Sequence, residues 1–292
     1  MDSRLEQIVE LPDGRHLGYA EVGDPAGAPI LQFHSNPGSR LDFAFAQHDQ
    51  ALRAAGVRLI GVDRPGYGLS QPKPGRGHAD WPADVTALAD SLELDRFAVL
   101  GYSRGGKYAL ACAALIPERL TAVGMLSTGT TPDMAGYARA FPGLARLEFS
   151  FARRAPAVWT RVTNSSVRRG HKHPAAVLAP FKLVLRCPAD RELLASYPRE
   201  MASTILEAAR QGPTQWRIEE TNQPDPLDFD VDDVKLPVKI WHGTADTLVP
   251  IVQARHLVNR LASAELVELS DVGHLHTPER VAQIASELTQ LS

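Results

Sequence analysis

The sequence predicts an α/β protein with a mostly parallel central sheet, helices on both faces and an inserted helical cap. Short apolar runs alternate with stretches of helical spacing over residues 1–127, and the alternation resumes over 234–292. Between them, residues 128–233 contain helical pieces and many prolines but no convincing strand. Strands joined through helices form a parallel sheet that is covered on both faces. We therefore expect an α/β core of residues 1–127 and 234–292, with residues 128–233 as a cap or lid.

The first part of the chain predicts a hairpin followed by a strand, a helix and a strand. Residues 7–11 and 16–22 are separated by the turn Pro12-Asp13-Gly14, which is typical of a hairpin. Buried strands that end in loops are expected at 29–34 and 58–63, with a helix over 42–55 between them.

The alternation then continues up to the insertion and beyond it. Residues 81–92 have helical spacing, with Val85, Leu88 and Leu92 on one face. The further strands are expected at 97–100, 120–126, 238–241 and 265–269, and the further helices at 104–116, 251–261 and 278–291. Ligands of such sheets bind beyond the carboxyl ends of the strands, so the loops that follow the strands are where chemistry is expected.

Composition argues against several other classes of protein. Hydrophobic residues make up 44% of the 292 positions, which is ample for a core. The net charge of −3 argues against general nucleic-acid binding. Two cysteines, Cys112 and Cys187, make no disulfide framework. With no signal-peptide pattern and no bilayer-length apolar run, we expect a cytoplasmic protein without stable membrane insertion. The sequence does not indicate the oligomeric state.

The segment Gly101-Tyr102-Ser103-Arg104-Gly105 lies between a predicted strand and a predicted helix. In that setting Gly-x-Ser-x-Gly is typical of a nucleophile elbow, a tight turn that presents the serine at the edge of the sheet. The glycines remove side chains that would clash with the neighbouring strand and helix, and the start of the helix points N–H groups toward developing negative charge. Ser103 is therefore the predicted nucleophile; the alternative is a glycine-rich turn without chemistry.

A serine nucleophile needs a base, which is commonly a histidine held by a carboxylate. Two later loops contain such residues, each just after a predicted strand. The first spans 242–250 and contains Asp246, and the second spans 270–274 and contains His274. The order serine, aspartate, histidine is the chain order of this elbow chemistry.

Four motifs together resemble the α/β-hydrolase superfamily, in the branch of esterases, proline iminopeptidases and cofactor-free haloperoxidases. They are Gly-Tyr-Ser-Arg-Gly-Gly at 101–106, Asp-Arg-Pro-Gly-Tyr-Gly-Leu-Ser at 63–70, Gly-Thr-Ala-Asp-Thr-Leu-Val-Pro at 243–250 and Gly-His at 273–274. The resemblance implies Asp246 as the acid and His274, directly after glycine, as the base. His276 remains an alternative base, and Asp271 and Asp133 remain alternative acids. No metal or organic cofactor is implied.

An oxyanion hole needs two backbone donors. One is expected from Arg104, which follows the nucleophile. The resemblance implies the other at Asn36, in the loop after the strand that ends near Phe33. Ser35 stands where relatives commonly have glycine, and serine resists some backbone angles that glycine adopts, so this loop is expected either to differ in shape or to add a hydroxyl group to the site. His34, Ser35 and Tyr102 are candidate substrate contacts, although the resemblance favours a bracing role for His34.

The beginning of the expected cap is unusually basic. Glu148 is the one acid among eight basic residues: Arg139, Arg146, Arg153, Arg154, Arg161, Arg168, Arg169 and Lys172. Interleaved apolar residues predict amphipathic helices whose apolar side faces the catalytic cleft. The basic residues either form a solvated helix face or receive an acidic substrate, an acyl-carrier partner or a transient membrane contact. His171 and His173 have no further metal ligand close in sequence.

These features together predict a serine hydrolase that cleaves a carboxylic ester or lactone of a small to medium hydrophobic substrate through an acyl-enzyme. Acyl transfer, cyclisation or perhydrolysis by the same triad is the main alternative. Aminopeptidase action would need acids in the cap, for which Glu219, Glu220 and Asp225 are candidates. A ligand receptor on the same fold is a further alternative, since fold alone does not give function.

Overall fold

The computed structural model describes residues 3–129, 131–222 and 225–291. An eight-stranded sheet has the order β1-β2-β4-β3-β5-β6-β7-β8. Strands β1 and β2 form the antiparallel edge, and the other six strands run parallel to one another. The strands are β1 (Gln7–Glu10), β2 (His16–Gly23), β3 (Ala28–Phe33), β4 (Val57–Val62), β5 (Phe97–Tyr102), β6 (Leu120–Leu126), β7 (Val238–Gly243) and β8 (Ala264–Leu269).

Helices pack on both faces of the sheet, because alternate residues of each buried strand point to opposite sides. On one face Ile30 of β3 belongs to a cluster with Leu52 of α1 and Leu288 of α12. On the other face Leu31 clusters with Val85 of α2 and Leu110 of α3. These helices are α1 (Ala46–Ala54), α2 (Trp81–Ser91), α3 (Gly105–Leu115) and α12 (Pro278–Thr289), and α11 (Val252–Arg260) joins the second face. The predicted α/β class, with a mostly parallel sheet covered by helices on both faces, is confirmed.

Seven helices lie between β6 and β7, and in this region the described residues contain no strand. They are α4 (Tyr137–Ala140), α5 (Gly143–Arg154), α6 (Pro156–Lys172), α7 (Pro174–Val184), α8 (Pro188–Ser196), α9 (Pro198–Ala208) and α10 (Thr214–Thr221). Their apolar side chains cluster around Trp159, Leu178 and Trp216, and the cluster also includes Tyr67 from the loop after β4. The limits 128 and 233 of the cap stay a prediction. Within the described residues, every helix is too short or too polar to cross a bilayer.

The predicted start of the first helix at residue 42 is wrong, since α1 begins at Ala46. The Asp42 carboxylate instead accepts the backbone N–H of Ser35 at 2.7 Å and that of Ser39 at 3.3 Å. A side chain used this way holds its own segment in a turn. Strands β5 and β7 each run two residues beyond their predicted ends, to Tyr102 and Gly243.

Candidate active site

Ser103 occupies the sharp turn between β5 and α3. Its φ is +52°, in the left-handed region that non-glycine residues rarely adopt. Its N–H donates to the carbonyl oxygen of Leu126 at 2.8 Å, and Thr128 Oγ1 donates to its carbonyl oxygen at 2.8 Å. The end of β6 and the loop that follows it therefore hold this strained residue in place from the side.

The glycines around Ser103 are required by close backbone approach. A Cβ at Gly105 would lie 2.0 Å from the carbonyl oxygen of Phe33, and one at Gly101 would lie 2.6 Å from the Gly105 oxygen. Gly106 is packed against Thr128 Oγ1, 1.9 Å from where its Cβ would be. The arrangement explains why the motif needs glycine at these positions, and it has the strand–turn–helix setting that the sequence predicted.

The loops after β7 and β8 bring Asp246 and His274 together. His274 Nδ1 lies 2.8 Å from Asp246 Oδ2 in a hydrogen bond between two buried side chains. The other carboxylate oxygen of Asp246 accepts the backbone N–H groups of Leu248 and Val249, both at 2.8 Å. The carboxylate is thus fixed on one side by its own loop and oriented on the other toward the imidazole.

Electrostatics at this pair keep the carboxylate charged and the imidazole basic. Burial alone would raise the pKa of Asp246, but His274 and His242 beside it hold the pKa well below 3.8. Burial also disfavours the charged form of His274, yet the Asp246 carboxylate outweighs it and raises the pKa of His274 above 6.5. An imidazole with such a partner can take a proton from a hydroxyl group.

The alternative acids and the alternative base have other hydrogen-bond partners or are exposed. His276 Nε2 is 2.8 Å from the hydroxyl of Ser127. Asp133 accepts from Arg260 Nε at 3.0 Å and has a half-exposed side chain. Asp271 is exposed, with a φ of +58°. Of the three aspartates that the sequence singled out, Asp246 is therefore the one that bonds the His274 ring.

The loop after β3 brings Asn36 to the wall of the cavity that contains Ser103. The Asn36 side chain is held at both ends, because its oxygen accepts from the Tyr67 hydroxyl at 2.7 Å and its amide donates to Glu220 at 2.8 Å. Among the described residues, the backbone N–H groups of Asn36 and Arg104 have no protein acceptor. Both are therefore available to bind an oxyanion.

Ser35 does not need the backbone freedom of glycine. Four non-glycine residues have positive φ within the described part of the chain, and Ser35 is not one of them. Its N–H is used by Asp42, and its hydroxyl donates to the carbonyl oxygen of Pro37 at 3.4 Å. Serine at position 35 therefore does not strain the backbone of this loop.

The predicted substrate contacts lie at different depths. His34 is fully buried, with Nε2 accepting the N–H of Arg64 at 3.1 Å and Nδ1 2.7 Å from the Ser35 oxygen. Burial, with Arg64 nearby, places the pKa of His34 well below 6.5, so this ring is neutral and braces the loop. Ser35 and Tyr102 line a cavity, and the Tyr102 hydroxyl donates to the carbonyl oxygen of His274 at 3.2 Å.

Sequence reasoning missed Asp190, which lies in the insertion but supports the histidine loop. Its carboxylate accepts the N–H of His274 at 3.0 Å and that of Leu275 at 2.8 Å. A Cβ on Gly273 would lie 2.3 Å from the Asp190 carboxylate. This contact explains the glycine of the Gly-His motif. Nothing in the local sequence around Asp190 indicates a partner 84 residues away.

Sequence reasoning named Glu219 of α10 only as a candidate acid for an aminopeptidase and missed the buried ionic cluster around it. Its carboxylate accepts from Arg64 at 2.7 Å, from Arg76 at 2.6 Å and from the Tyr108 hydroxyl at 3.0 Å. Burial disfavours its charge, but the two guanidinium groups lower the pKa of Glu219 well below 4.5. Arg64 also donates to the carbonyl oxygens of His34 and Ser35. The insertion is thereby tied to the loop that holds Asn36.

Two cavities meet at Ser103. The large cavity, of about 660 Å³, is lined by residues of α5, α6, α7 and α10 together with Ser103, Arg104 and Asn36. The small cavity, of about 100 Å³, is lined by His274, His276 and Tyr102 among others, and again by Ser103 and Asn36. Ser103 and Asn36 are therefore part of the walls of both cavities.

The first helices of the insertion are amphipathic, as the sequence predicted. Leu144, Leu147, Phe151 and Val162 line the large cavity. The eight basic residues from Arg139 to Lys172 are all exposed, and none of their side chains forms an ion pair within the described residues. An acidic partner for this surface stays a prediction. In the described part of the chain, no group of three or more His, Cys, Asp or Glu side chains is arranged to hold a metal ion.

A family model described as alpha/beta hydrolase fold matches residues 28–279. Among curated proteins, a pimeloyl-[acyl-carrier protein] methyl ester esterase of Aromatoleum aromaticum is 29% identical over 247 residues, 81% of this chain and 89% of that protein. A 2-hydroxy-6-oxononadienedioate/2-hydroxy-6-oxononatrienedioate hydrolase of Pseudomonas putida is 30% identical over 131 residues, 44% of this chain and 46% of that protein. The chain spans less than half the length of several curated relatives that it matches.

Solved structures share the fold along nearly the whole chain. A thermophilic esterase from Thermogutta terrifontis superposes with a TM-score of 0.70 at 20% identity, covering 97% of both chains. An esterase from Rhodococcus also gives a TM-score of 0.70 at 20% identity, covering 98% of both chains. At this level of identity the likeness concerns the architecture alone.

Proposed function

Because the chain belongs to the alpha/beta hydrolase fold family, we propose that it is a serine hydrolase that cleaves a carboxylic ester or lactone of a hydrophobic substrate through an acyl-enzyme. The observation that carries the proposal is the buried hydrogen bond between Asp246 and His274, on loops that share a cavity wall with Ser103. A neutral hydroxyl is a poor nucleophile, and a carboxylate-held imidazole is the group that activates it.

In the proposed mechanism, His274 takes the proton of the Ser103 hydroxyl as the serine oxygen attacks the substrate carbonyl. The negative charge that develops on the carbonyl oxygen is bound by the N–H groups of Arg104 and Asn36. Asp246 keeps Nδ1 of His274 protonated and stabilises the imidazolium that forms. The imidazolium then protonates the leaving alkoxide as the carbon–oxygen bond to the alcohol breaks. Water, activated by His274, hydrolyses the acyl-Ser103 ester.

The hydrophobic substrate class is supported by the walls of the large cavity. Aromatic and aliphatic side chains dominate its lining, including Phe141, Phe149, Trp159 and Leu183. Sites of this kind bind the apolar part of a ligand through burial, and a few polar groups orient the reacting atoms. Here those polar groups are the ones that surround Ser103.

Aminopeptidase action is less well supported, because the candidate acids already have partners. Glu219 accepts from two buried arginines, and Glu220 accepts from Asn36 and from Arg104. To bind a substrate ammonium group, one of these carboxylates would have to give up its interaction with an arginine of the protein. Asp225, the third candidate, is exposed.

The experiment that tests the proposal compares the wild-type protein with Ser103→Ala on methyl esters, phenyl acetate and γ-lactones, with proton release followed at constant pH. The variant should lose at least three orders of magnitude in kcat, because removal of a triad serine costs up to about 10⁶. Ser165→Ala, at an exposed position of α6, is the matched control and should keep full activity. Equal turnover by wild type and Ser103→Ala, both folded by circular dichroism, would remove the proposal.

Transfer to an acceptor other than water is separated from hydrolysis by analysing the products. The same reactions are run with and without a primary alcohol, and free acid and new ester are quantified by gas chromatography. A hydrolase yields acid as the main product at moderate alcohol concentration. New ester as the main product would assign the enzyme to acyl transfer, with the same nucleophile.

A further inference from the structure

Building on the proposed function, we infer that the substrate is an ester of a small alcohol with a long, neutral, apolar acid. The alcohol part would occupy the small cavity beside His274, and the acyl chain would occupy the large cavity beneath α5, α6 and α7. The inference depends on which cavity holds the general acid, on the sizes of the two cavities and on the charge of the large one.

The position of His274 fixes which side the leaving group takes. During acylation the imidazolium gives its proton to the alkoxide oxygen, so that oxygen lies within hydrogen-bond reach of the ring. His274 lines the small cavity and is not part of the lining of the large one. The carbon attached to the leaving oxygen therefore enters the small cavity. The remaining substituent of the carbonyl, which is the acyl chain, points into the large cavity.

The two volumes set very different limits on these parts. An apolar cavity of about 150 Å³ accommodates benzene, which corresponds to about 25 Å³ for each heavy atom. By that scale the small cavity, at about 100 Å³, has room for about four heavy atoms, such as a methyl or propyl group. The large cavity, at about 660 Å³, has ample room for a chain of ten carbons.

The charges in the wall of the large cavity favour a neutral chain. Arg104, Lys107, Glu148 and Glu220 also line it, two basic and two acidic residues. Burial lowers the pKa of Lys107 to about 7 and raises the pKa of Glu220 to about 7, so neither side chain holds a full charge near neutral pH. Arg104 pairs with Glu220 at 3.2 Å, and the ammonium of Lys107 lies 5.8 Å from the centre of the Tyr137 ring. The cavity wall therefore has no excess of either charge, and it offers an apolar surface to a neutral acyl chain.

Two isomeric esters test the direction of binding. Methyl decanoate and nonyl acetate have the same formula and place the long chain on opposite sides of the carbonyl. The inference predicts a kcat/KM for methyl decanoate at least tenfold above that for nonyl acetate, with a gain of up to about fourfold for each methylene added to the acid. Rates within threefold of each other, or a preference for nonyl acetate, would overturn it.

Matched variants of α6 test where the chain lies. Val162 lines the large cavity and is 56% exposed, whereas Val158, one turn earlier, is 50% exposed and lines neither cavity. Val162→Trp should lower kcat/KM for methyl decanoate at least tenfold more than for methyl butyrate, and Val158→Trp should change neither. Equal loss on both esters in Val162→Trp would contradict an acyl chain in this cavity.

A small-cavity variant gives an independent readout. Met201 lines the small cavity, so Met201→Ala should raise kcat/KM for butyl decanoate relative to methyl decanoate by at least fivefold. No change in this ratio would count against the assignment of the alcohol part. Turnover of lactones or phenyl acetate without turnover of either isomeric ester would overturn this inference and leave the serine hydrolase standing. Failure on every ester and lactone would remove both.

Discussion

Replacement of Glu219 by glutamine tests whether the buried ionic cluster holds the insertion on the core. In the native protein one carboxylate faces two guanidinium groups, and Arg64 is fully buried while Arg76 is 5% exposed. Glutamine keeps the size of the side chain and one acceptor oxygen, but it removes the negative charge and turns N–H groups toward arginines. Both guanidinium groups then lack a carboxylate in a region that water does not reach.

The cost follows from the contacts that remain. Removing one partner of a buried ion pair destabilises a protein by about 3–5 kcal/mol. The Arg64 guanidinium still stacks on the Tyr108 ring at 4.7 Å, which favours the lower end of that range. An entropy of unfolding of about 2.1 cal/mol/K per residue gives about 0.6 kcal/mol/K for this chain. Glu219→Gln should therefore lower Tm by roughly 5–8 °C.

The assay is thermal unfolding by circular dichroism and scanning calorimetry, with Glu118→Gln at an exposed position as the control. Activity should fall as well, by up to about a hundredfold in kcat, because Arg64 positions the loop that contains Asn36. A loss below about 1 kcal/mol, equal to that of the control, would refute the reasoning and mean that water replaces the carboxylate.

Further predictions concern the acid and the elbow. Asp246→Asn should lower kcat/KM by about 10⁴ in a steady-state assay, since the imidazole loses its charged partner. The base acts when neutral, so wild-type kcat/KM should fall as pH drops through the raised pKa of His274, and Asp246→Asn should move that limb to lower pH. If the acidic limb of the pH profile does not shift in this variant, Asp246 is not what raises the pKa of His274. Gly105→Ala should fail to fold, because its Cβ would lie 2.0 Å from the Phe33 oxygen. A Cβ at Gly143 meets nothing within 4 Å, so Gly143→Ala should have a free energy of unfolding within about 0.5 kcal/mol of the wild-type value. Equal stability of the two glycine variants would contradict the packing argument.

Those parts of the molecule that depend on local pattern were predictable from the sequence. The strands are short apolar runs between turn residues, and the elbow around Ser103 is specified within five positions. Asp246 and His274 each follow a strand directly, and parallel strands bring their carboxyl ends to one edge of the sheet. Residues in the loops at that edge therefore lie close together, and this proximity does not depend on the details of packing.

The supporting residues were not predictable in the same way. Asp190 bonds the backbone of His274 across 84 positions, and Glu219 bonds Arg64 across 155. Such pairs leave no periodic or local signal. Asp42 gave a misleading one, because its segment has helical spacing and yet its carboxylate is used to hold the turn beside Ser35. At Ser35 the sequence suggested a strain that the observed backbone does not have.

Covalent labelling tests the central claim most directly, because it identifies the nucleophile without knowledge of the substrate. The folded protein is treated with a fluorophosphonate at stoichiometric concentration, and the adduct is located by intact mass and peptide mapping. The account predicts one adduct per chain, on Ser103, absent from Ser103→Ala and slowed in Asp246→Asn. An adduct on another residue, or no adduct in a protein that hydrolyses esters, would contradict it.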